Sequence, residues 1–129
     1  MTPGRCAAVD ASTVIAALND DEPSHNAALD LLASWDALVI HTVNVAEILA
    51  GVDPAAWTGL LGAMHSAGFA FCDTTAEELA RAKVVTGLKM PDACVIAVAQ
   101  ARRADAVLSL DQRLTRAARA AGFACGSGE

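Results

Sequence analysis

A chain of 129 residues fits one domain, and an apolar fraction of 54% is enough for a packed core, which excludes disorder along most of its length. Five aromatics (Trp35, Trp57, Phe69, Phe71 and Phe123) leave Ala, Val and Leu to fill that core and exclude base stacking as a main mode of nucleic-acid contact. The net charge of −6 hides an asymmetry: residues 1–78 carry Arg5 against eleven acids, and residues 79–129 carry eight bases against four acids. A polyanion or a charged partner would use such a division, and two solvated helix faces would also explain it.

Cys6–Val9 reads as a short buried strand ending at Asp10, followed by a helix through about Leu18 with Val14, Ile15 and Leu18 on one face. Asn19–Pro23 is a turn. Ser24 caps a second helix with Ala28, Leu31 and Leu32 inward, ending near Trp35, and Ala37–Ile40 is a second buried strand. Thr42 or Asn44 opens a helix carrying Val45, Ile48 and Leu49, closed by Gly51. A helix over about 55–66 and a strand over Phe69–Cys72 follow. Thr75 and Glu78 form a capping box for a helix to about Thr86. Pro91 suits the first turn of the next helix, to Arg103. Ala106–Ser109 is a fourth strand, Asp111–Ala121 a last helix, and Phe123–Cys125 an edge strand, with 126–129 as a flexible tail.

Strands alternating with helices predict an α/β three-layer sandwich: a mostly parallel sheet of four to five strands, flanked by helices, in one domain over residues 1–125. Cys6, Cys72, Cys94 and Cys125 are scattered in apolar stretches without Cys-x-x-Cys spacing, so neither a zinc site nor a disulfide framework is expected. Asp10 interrupts the first apolar stretch, unlike a secretory leader, and the longest apolar run, Ala93–Ala99, is too short to span a bilayer. The expectation is a reduced, cytoplasmic protein with no membrane contact.

On this layout four acids fall toward the carboxyl edge of the sheet, where ligands of parallel sheets gather. Asp10 follows the first strand, Glu47 lies in the first turns of the third helix, Asp92 opens the helix after Pro91, and Asp111 follows the fourth strand. Asp10, Glu47 and Asp92 sit among apolar neighbours, where like charges repel unless a cation joins them. Oxygen ligands with room for water suit Mg²⁺ or Mn²⁺, and such a cluster points to phosphodiester hydrolysis. Each acid alone has a plain structural explanation. Asp92 favours a helix dipole by roughly 0.3–1 kcal/mol, Asp10 and Asp111 suit caps, and Glu47 suits a partnered helix acid. Asp105 precedes the fourth strand and belongs to the opposite edge. His25, His41 and His65 lack pairing partners, and read as surface or packing residues.

Val9-Asp10-Ala11-Ser12 with Val14-Ile15 resembles the opening motif of PIN domains, and Asn44-Val-Ala-Glu47 through Gly51 resembles their second. Pro91-Asp92 followed by Ala93–Ala97 resembles the third, and Val107-Leu-Ser109-Leu-Asp111 the fourth, in order over about residues 6–125. The resemblance implies an Mg²⁺- or Mn²⁺-dependent endoribonuclease in which Asp10, Glu47, Asp92 and Asp111 are catalytic and bind the metal. It implies that Ser12 supports the first Asp and Ser109 the fourth, and that cleavage leaves a 5′-phosphate and a 3′-hydroxyl. Chains of this size resemble the VapC toxins of VapBC toxin–antitoxin systems, which implies an RNA substrate, a homodimer and a cognate antitoxin.

Val14, Ile15, Leu18, Leu31 and Leu32 would form a groove for an antitoxin helix. The alternative is a catalytically silent PIN-like module that binds RNA or a partner. A two-component receiver domain needs an acid pair after strand one and a Lys after its last strand. A haloacid dehalogenase phosphatase needs Asp-x-Asp where this chain has Asp10-Ala-Ser12.

Overall fold

A computed structural model describes residues 5–126. In chain order the elements are β1 (Cys6–Val9), α1 (Ala11–Leu18), α2 (His25–Leu32), β2 (Ala37–His41) and α3 (Thr42–Ala50). A short 3₁₀ turn (Pro54–Ala56) leads into α4 (Trp57–Ser66). Then come β3 (Phe69–Cys72), α5 (Ala76–Thr86), α6 (Met90–Ala101), β4 (Ala106–Leu108), α7 (Gln112–Ala120) and β5 (Ala124–Cys125). The five strands form one parallel sheet in the order β3-β2-β1-β4-β5. Residues 127–129, most of the expected tail, lie outside the described residues.

The period of two along each strand sorts the core into two layers. Ala7, Val9, Leu38, Ile40, Ala106 and Leu108 pack with Val14 of α1, Val45 and Ile48 of α3 and Met64 of α4. Ala8, Val39 and Val107 face the other way, against α6, Ala82 of α5 and Leu114 and Ala118 of α7. The result is the expected sandwich of helices on both sheet faces. α6 lies deepest, with Ala93–Ala99 all buried, which explains why this segment is apolar all round. Among the described residues no single helix is long and apolar enough to cross a membrane.

The chain runs outward from β1 to β2 and β3, then returns to place β4 on the other side of β1. This reversal makes a crevice at the carboxyl ends of β1 and β4, the position at which open α/β sheets bind ligands. The Asp10 N–H donates to Leu108 O at 3.4 Å, joining those two strand ends. Ahead of α6, α5 ends at Gly87, whose φ of 68° is the left-handed conformation that glycine adopts without strain. That turn sets Lys89 as the cap of α6 and brings Pro91 and Asp92 into its first turn.

The boundaries differ from the sequence reading at two helix ends, where α2 stops at Leu32 short of Trp35 and α6 at Ala101 short of Arg103, and in how helix starts are capped. Ser24 stands at the cap position of α2 as expected, but its side chain makes no cap bond. α3 is capped by His41, not by Thr42 or Asn44: the imidazole Nδ1 accepts the Val43 N–H at 3.1 Å. Neutral imidazole offers one acceptor nitrogen, enough for one orphan N–H, although His is an uncommon cap.

Candidate active site

Asp10 leaves β1 with extended backbone and caps α1, its Oδ1 accepting the Thr13 N–H at 3.0 Å. Its Oδ2 accepts from Ser109 Oγ at 2.6 Å and from Ser12 Oγ at 3.0 Å. The residue is 4% exposed, and a carboxylate so stripped of water is tolerable only with donors of this kind. Ser109 Oγ also accepts the Asp111 N–H at 2.9 Å, so one hydroxyl links the ends of β1 and β4. Its proton goes to Asp10, while it holds Asp111 through the backbone. Asp111 caps α7, with Oδ1 accepting the N–H groups of Arg113 at 2.8 Å and Leu114 at 3.4 Å, and its side chain is exposed.

The other two acids come from helices. Glu47 lies in the second turn of α3, where Oε1 accepts from Asn44 Nδ2 at 3.0 Å. The same Nδ2 donates to Pro91 O of α6, also at 3.0 Å. Asp92, one residue on, is half-buried. Burial foremost pushes its carboxyl above the usual carboxylate range; Lys89 opposes that shift, and Asp111, Asp10 and Glu47 add to it. The four carboxylates therefore share one electrostatic neighbourhood. Cys94, behind Asp92 on α6, is pushed up to about 11 by burial and then by Glu47.

Glu47 departs from the expected apolar surroundings. Asn44, Val45 and Ile48 form the inward face of α3, and the helix turns Glu47 off that face into solvent. Only Asp10 of the four acids is buried. Among the described residues no three His, Cys, Asp or Glu side chains converge on a point that could hold a metal ion as they stand. The donor set still fits a hard divalent cation, because it consists of carboxylate oxygens. Glu47 and Asp111 are exposed, and each has one carboxylate oxygen in a hydrogen bond, Glu47 with the Asn44 amide and Asp111 with the N–H groups that open α7.

Residues outside the cluster have structural roles. Asp105 sits at the amino edge, its Oδ2 accepting the Cys6 N–H at 2.8 Å. His25 contacts Ala16 O at 2.9 Å and His65 packs on the Phe71 ring, with centroids 4.3 Å apart. Trp35 lies under the Arg5 guanidinium, 4.1 Å from its ring centroid, and Trp57 Nε1 donates to the carbonyls of Leu49 and Val52. All four cysteines are free thiols. The sequence reading overlooked Asn44 and His41 as parts of the site's framework. Their signal was weak but present: each is a polar residue amid the apolar pattern leading into Glu47.

The family model described as PIN domain matches residues 7–120. The chain belongs to the PIN-domain family. Nuclease chemistry is what that family brings to a carboxylate edge of this kind. Solved structures extend the likeness of fold. VapC20 of Mycobacterium tuberculosis, described as a sarcin–ricin-loop-cleaving toxin, shares 19% identity with a TM-score of 0.71, over 92% of this chain and 96% of that one. A toxin–antitoxin complex from Klebsiella pneumoniae shares 21% identity with a TM-score of 0.63, over 82% and 87%. VapBC2 from Rickettsia felis, solved with a fragment of its promoter DNA, shares 18% with a TM-score of 0.63, over 93% and 96%. No curated protein matches the chain significantly.

Proposed function

We propose that this PIN-domain protein is an Mg²⁺- or Mn²⁺-dependent endoribonuclease and the toxin of a toxin–antitoxin pair, with residues 1–125 acting as one nuclease domain in the cytoplasm. The observation that carries the reading is that Asp10, Glu47 and Asp111 all act on the charge of Asp92 although the four side chains do not converge on one point. Each of the other three raises the carboxyl of Asp92, so the metal-free cluster carries repulsion that a cation would relieve. A bound divalent ion would activate water and neutralise phosphate charge there.

The chain's own residues set the stage for that chemistry. Ser12, Ser109 and the Thr13 N–H orient Asp10. The Arg113 and Leu114 N–H groups hold one oxygen of Asp111. Lys89, close enough to act on Asp92, and Arg113 in the first turn of α7 are cations available to substrate phosphates.

For the antitoxin, an apolar hollow of about 310 Å³ between α1, α2 and α4 is lined by Val14, Leu18, Leu29, Leu32, Met64 and Phe69. Of the residues expected to form this groove, Val14, Leu18 and Leu32 line it, whereas Leu31 is buried in the core and Ile15 is exposed outside the hollow; the hollow suits one face of an amphipathic helix. The exposed pair Val84 and Val85 on α5 (82% and 75%) supports a homodimer contact elsewhere.

The test is cleavage of labelled RNA by purified protein with Mn²⁺, with and without EDTA, beside expression in cells with and without the neighbouring small open reading frame. The reading predicts EDTA-sensitive cleavage and growth arrest rescued by co-expression. RNA binding without cleavage under any metal would favour the silent module, in keeping with carboxylates that do not converge before a cation arrives.

A further inference from the structure

Asn44 is the third residue of α3 and is 1% exposed. Asparagine is a poor choice for that place on general grounds, because it weakens helices and buries an amide where an aliphatic side chain would pack. Its amide explains why it is there. The two hydrogens of Nδ2 go to two different oxygens, Glu47 Oε1 and Pro91 O, each at 3.0 Å. Turned over, the amide would aim its own oxygen at two acceptors, so the orientation follows from the partners. Serine or threonine could serve only one of the two, and an aliphatic residue neither.

The other end of the amide reinforces this reading. Asn44 Oδ1 is buried with no hydrogen-bond partner. A stranded carbonyl is a net loss to stability, so packing alone does not account for the residue. What the amide achieves is geometric. Glu47 is exposed and without a donor would turn freely about its own bonds, whereas Asp92 is half-buried in the first turn of α6. Asn44 ties the first to the backbone carbonyl just before the second, across the contact between α3 and α6.

We infer that Asn44 is a positioning residue: its amide holds the Glu47 carboxylate against the start of α6, so that Glu47 and Asp92 meet the same ion. The inference rests on the proposed metal-dependent function and adds a residue that acts through Glu47 without touching the ion.

The test compares Asn44→Thr, which keeps one donor, and Asn44→Val, which keeps none, with Glu47→Gln and the double variant Glu47→Gln/Asn44→Val. Three quantities are read: Tm without metal, the Mn²⁺ concentration that half-saturates the Mn²⁺-induced rise in Tm, and kcat and KM on RNA. Half-saturating Mn²⁺ should rise by roughly tenfold or more in Asn44→Val and by less in Asn44→Thr, the usual scale for loss of a residue that orients a ligand. kcat should fall in the same order, KM should change by less than about twofold, and the metal-free Tm of Asn44→Val should not fall in proportion. In the Glu47→Gln background the Val substitution should add less than about twofold, because the residue it orients is already disabled.

A folded Asn44→Val with wild-type Mn²⁺ half-saturation and kcat would overturn the inference. Should the Val variant not fold, a wild-type Mn²⁺ response in Asn44→Thr would overturn it equally. Glu47→Gln separates the two levels. If it is inactive while the Asn44 variants behave as wild type, only the positioning role fails; if it retains full activity and Mn²⁺ response, the reading of the site fails with it.

Discussion

Asp10 and Glu47 stand on the same edge of one sheet, yet they are held in opposite ways. Asp10 is buried at a strand end, where two hydroxyls and a backbone N–H fill its oxygens. Glu47 is exposed on a helix and has one side-chain donor. A strand end in a parallel sheet fixes the backbone through its neighbours on both sides, so an acid there needs only local donors to be oriented. A helix acid one turn further out keeps its rotamer freedom and must be steered from elsewhere. The difference teaches that the strand half of this site is locked by several local donors while the helix half hangs on the Asn44 amide, in keeping with four carboxylates that interact without converging.

The largest expected effects come from the acids themselves. Asp10→Asn, Glu47→Gln and Asp92→Asn should each lower RNA cleavage by about 100-fold or more, consistent with loss of a group acting on the transition state. Circular dichroism should stay native, because Asn can still cap α1 in place of Asp10. Wild-type cleavage by Asp92→Asn would remove the helix half of the site from the account. The two serines sharpen the comparison further. Ser109→Ala takes a 2.6 Å donor from Asp10 and the acceptor of the Asp111 N–H, and should weaken Mn²⁺ binding about 10- to 100-fold. Ser12→Ala removes a longer bond from an exposed hydroxyl and should cost several-fold less. Equal effects in a Mn²⁺ titration would mean that Ser109 does not link β1 and β4 functionally.

Substrate contact is the next scale down. Arg113 and Arg116 lie on exposed positions of α7 beside Asp111. Replacing both with Gln should lower RNA affinity and flatten the slope of log affinity against log salt by up to about 1.4, at roughly 0.7 per phosphate contact on a single strand. An unchanged slope would place RNA on another surface.

The smallest effect concerns His41, beneath the helix half. Burial lowers its pKa from the ordinary value near 6.5, with the Asp73 carboxylate partly opposing. With Nδ1 accepting from Val43, Nε2 carries the proton and donates to Thr74 Oγ1 at 2.9 Å, so the native contacts require the neutral ring. Because the folded pKa lies below the unfolded one, this contribution is fully present above about pH 6.5. It is lost as pH falls through the lowered value. Thermal melts across that range should show wild type losing more Tm than His41→Asn, whose amide caps at every pH; parallel curves would remove the cap from the account.

The sheet was legible because buried strands such as Ala37–Ile40 and Ala106–Leu108 are continuous apolar runs, and because each ends at a polar residue marking the carboxyl edge. Asp10, Asp92 and Asp111 were easy to place, since strand ends and a proline-opened helix locate an acid along the chain. Glu47 was harder: its helix was evident, but the rotation that leaves it exposed depends on α6 occupying the adjoining face. Asn44 and His41 escaped for a related reason. Their partners, Pro91 and Thr74, are 47 and 33 residues away, and no local pattern announces a contact that the fold alone creates.

The most direct test of the central claim is a Mn²⁺ titration of the metal-free protein followed by electron paramagnetic resonance of the free ion, run on wild type, Asp10→Asn and Asp92→Asn. Four carboxylates sharing one crevice predict saturable binding of one or two ions to wild type, with loss of at least the tighter site in both variants. They also predict a slightly higher metal-free Tm for Asp92→Asn, because the substitution removes a carboxylate that burial and three like charges disfavour. Unsaturable binding to wild type, or identical saturable binding in all three proteins, would contradict the claim and leave Asp10 and Asp111 as helix caps and Glu47 and Asp92 as separate helix acids.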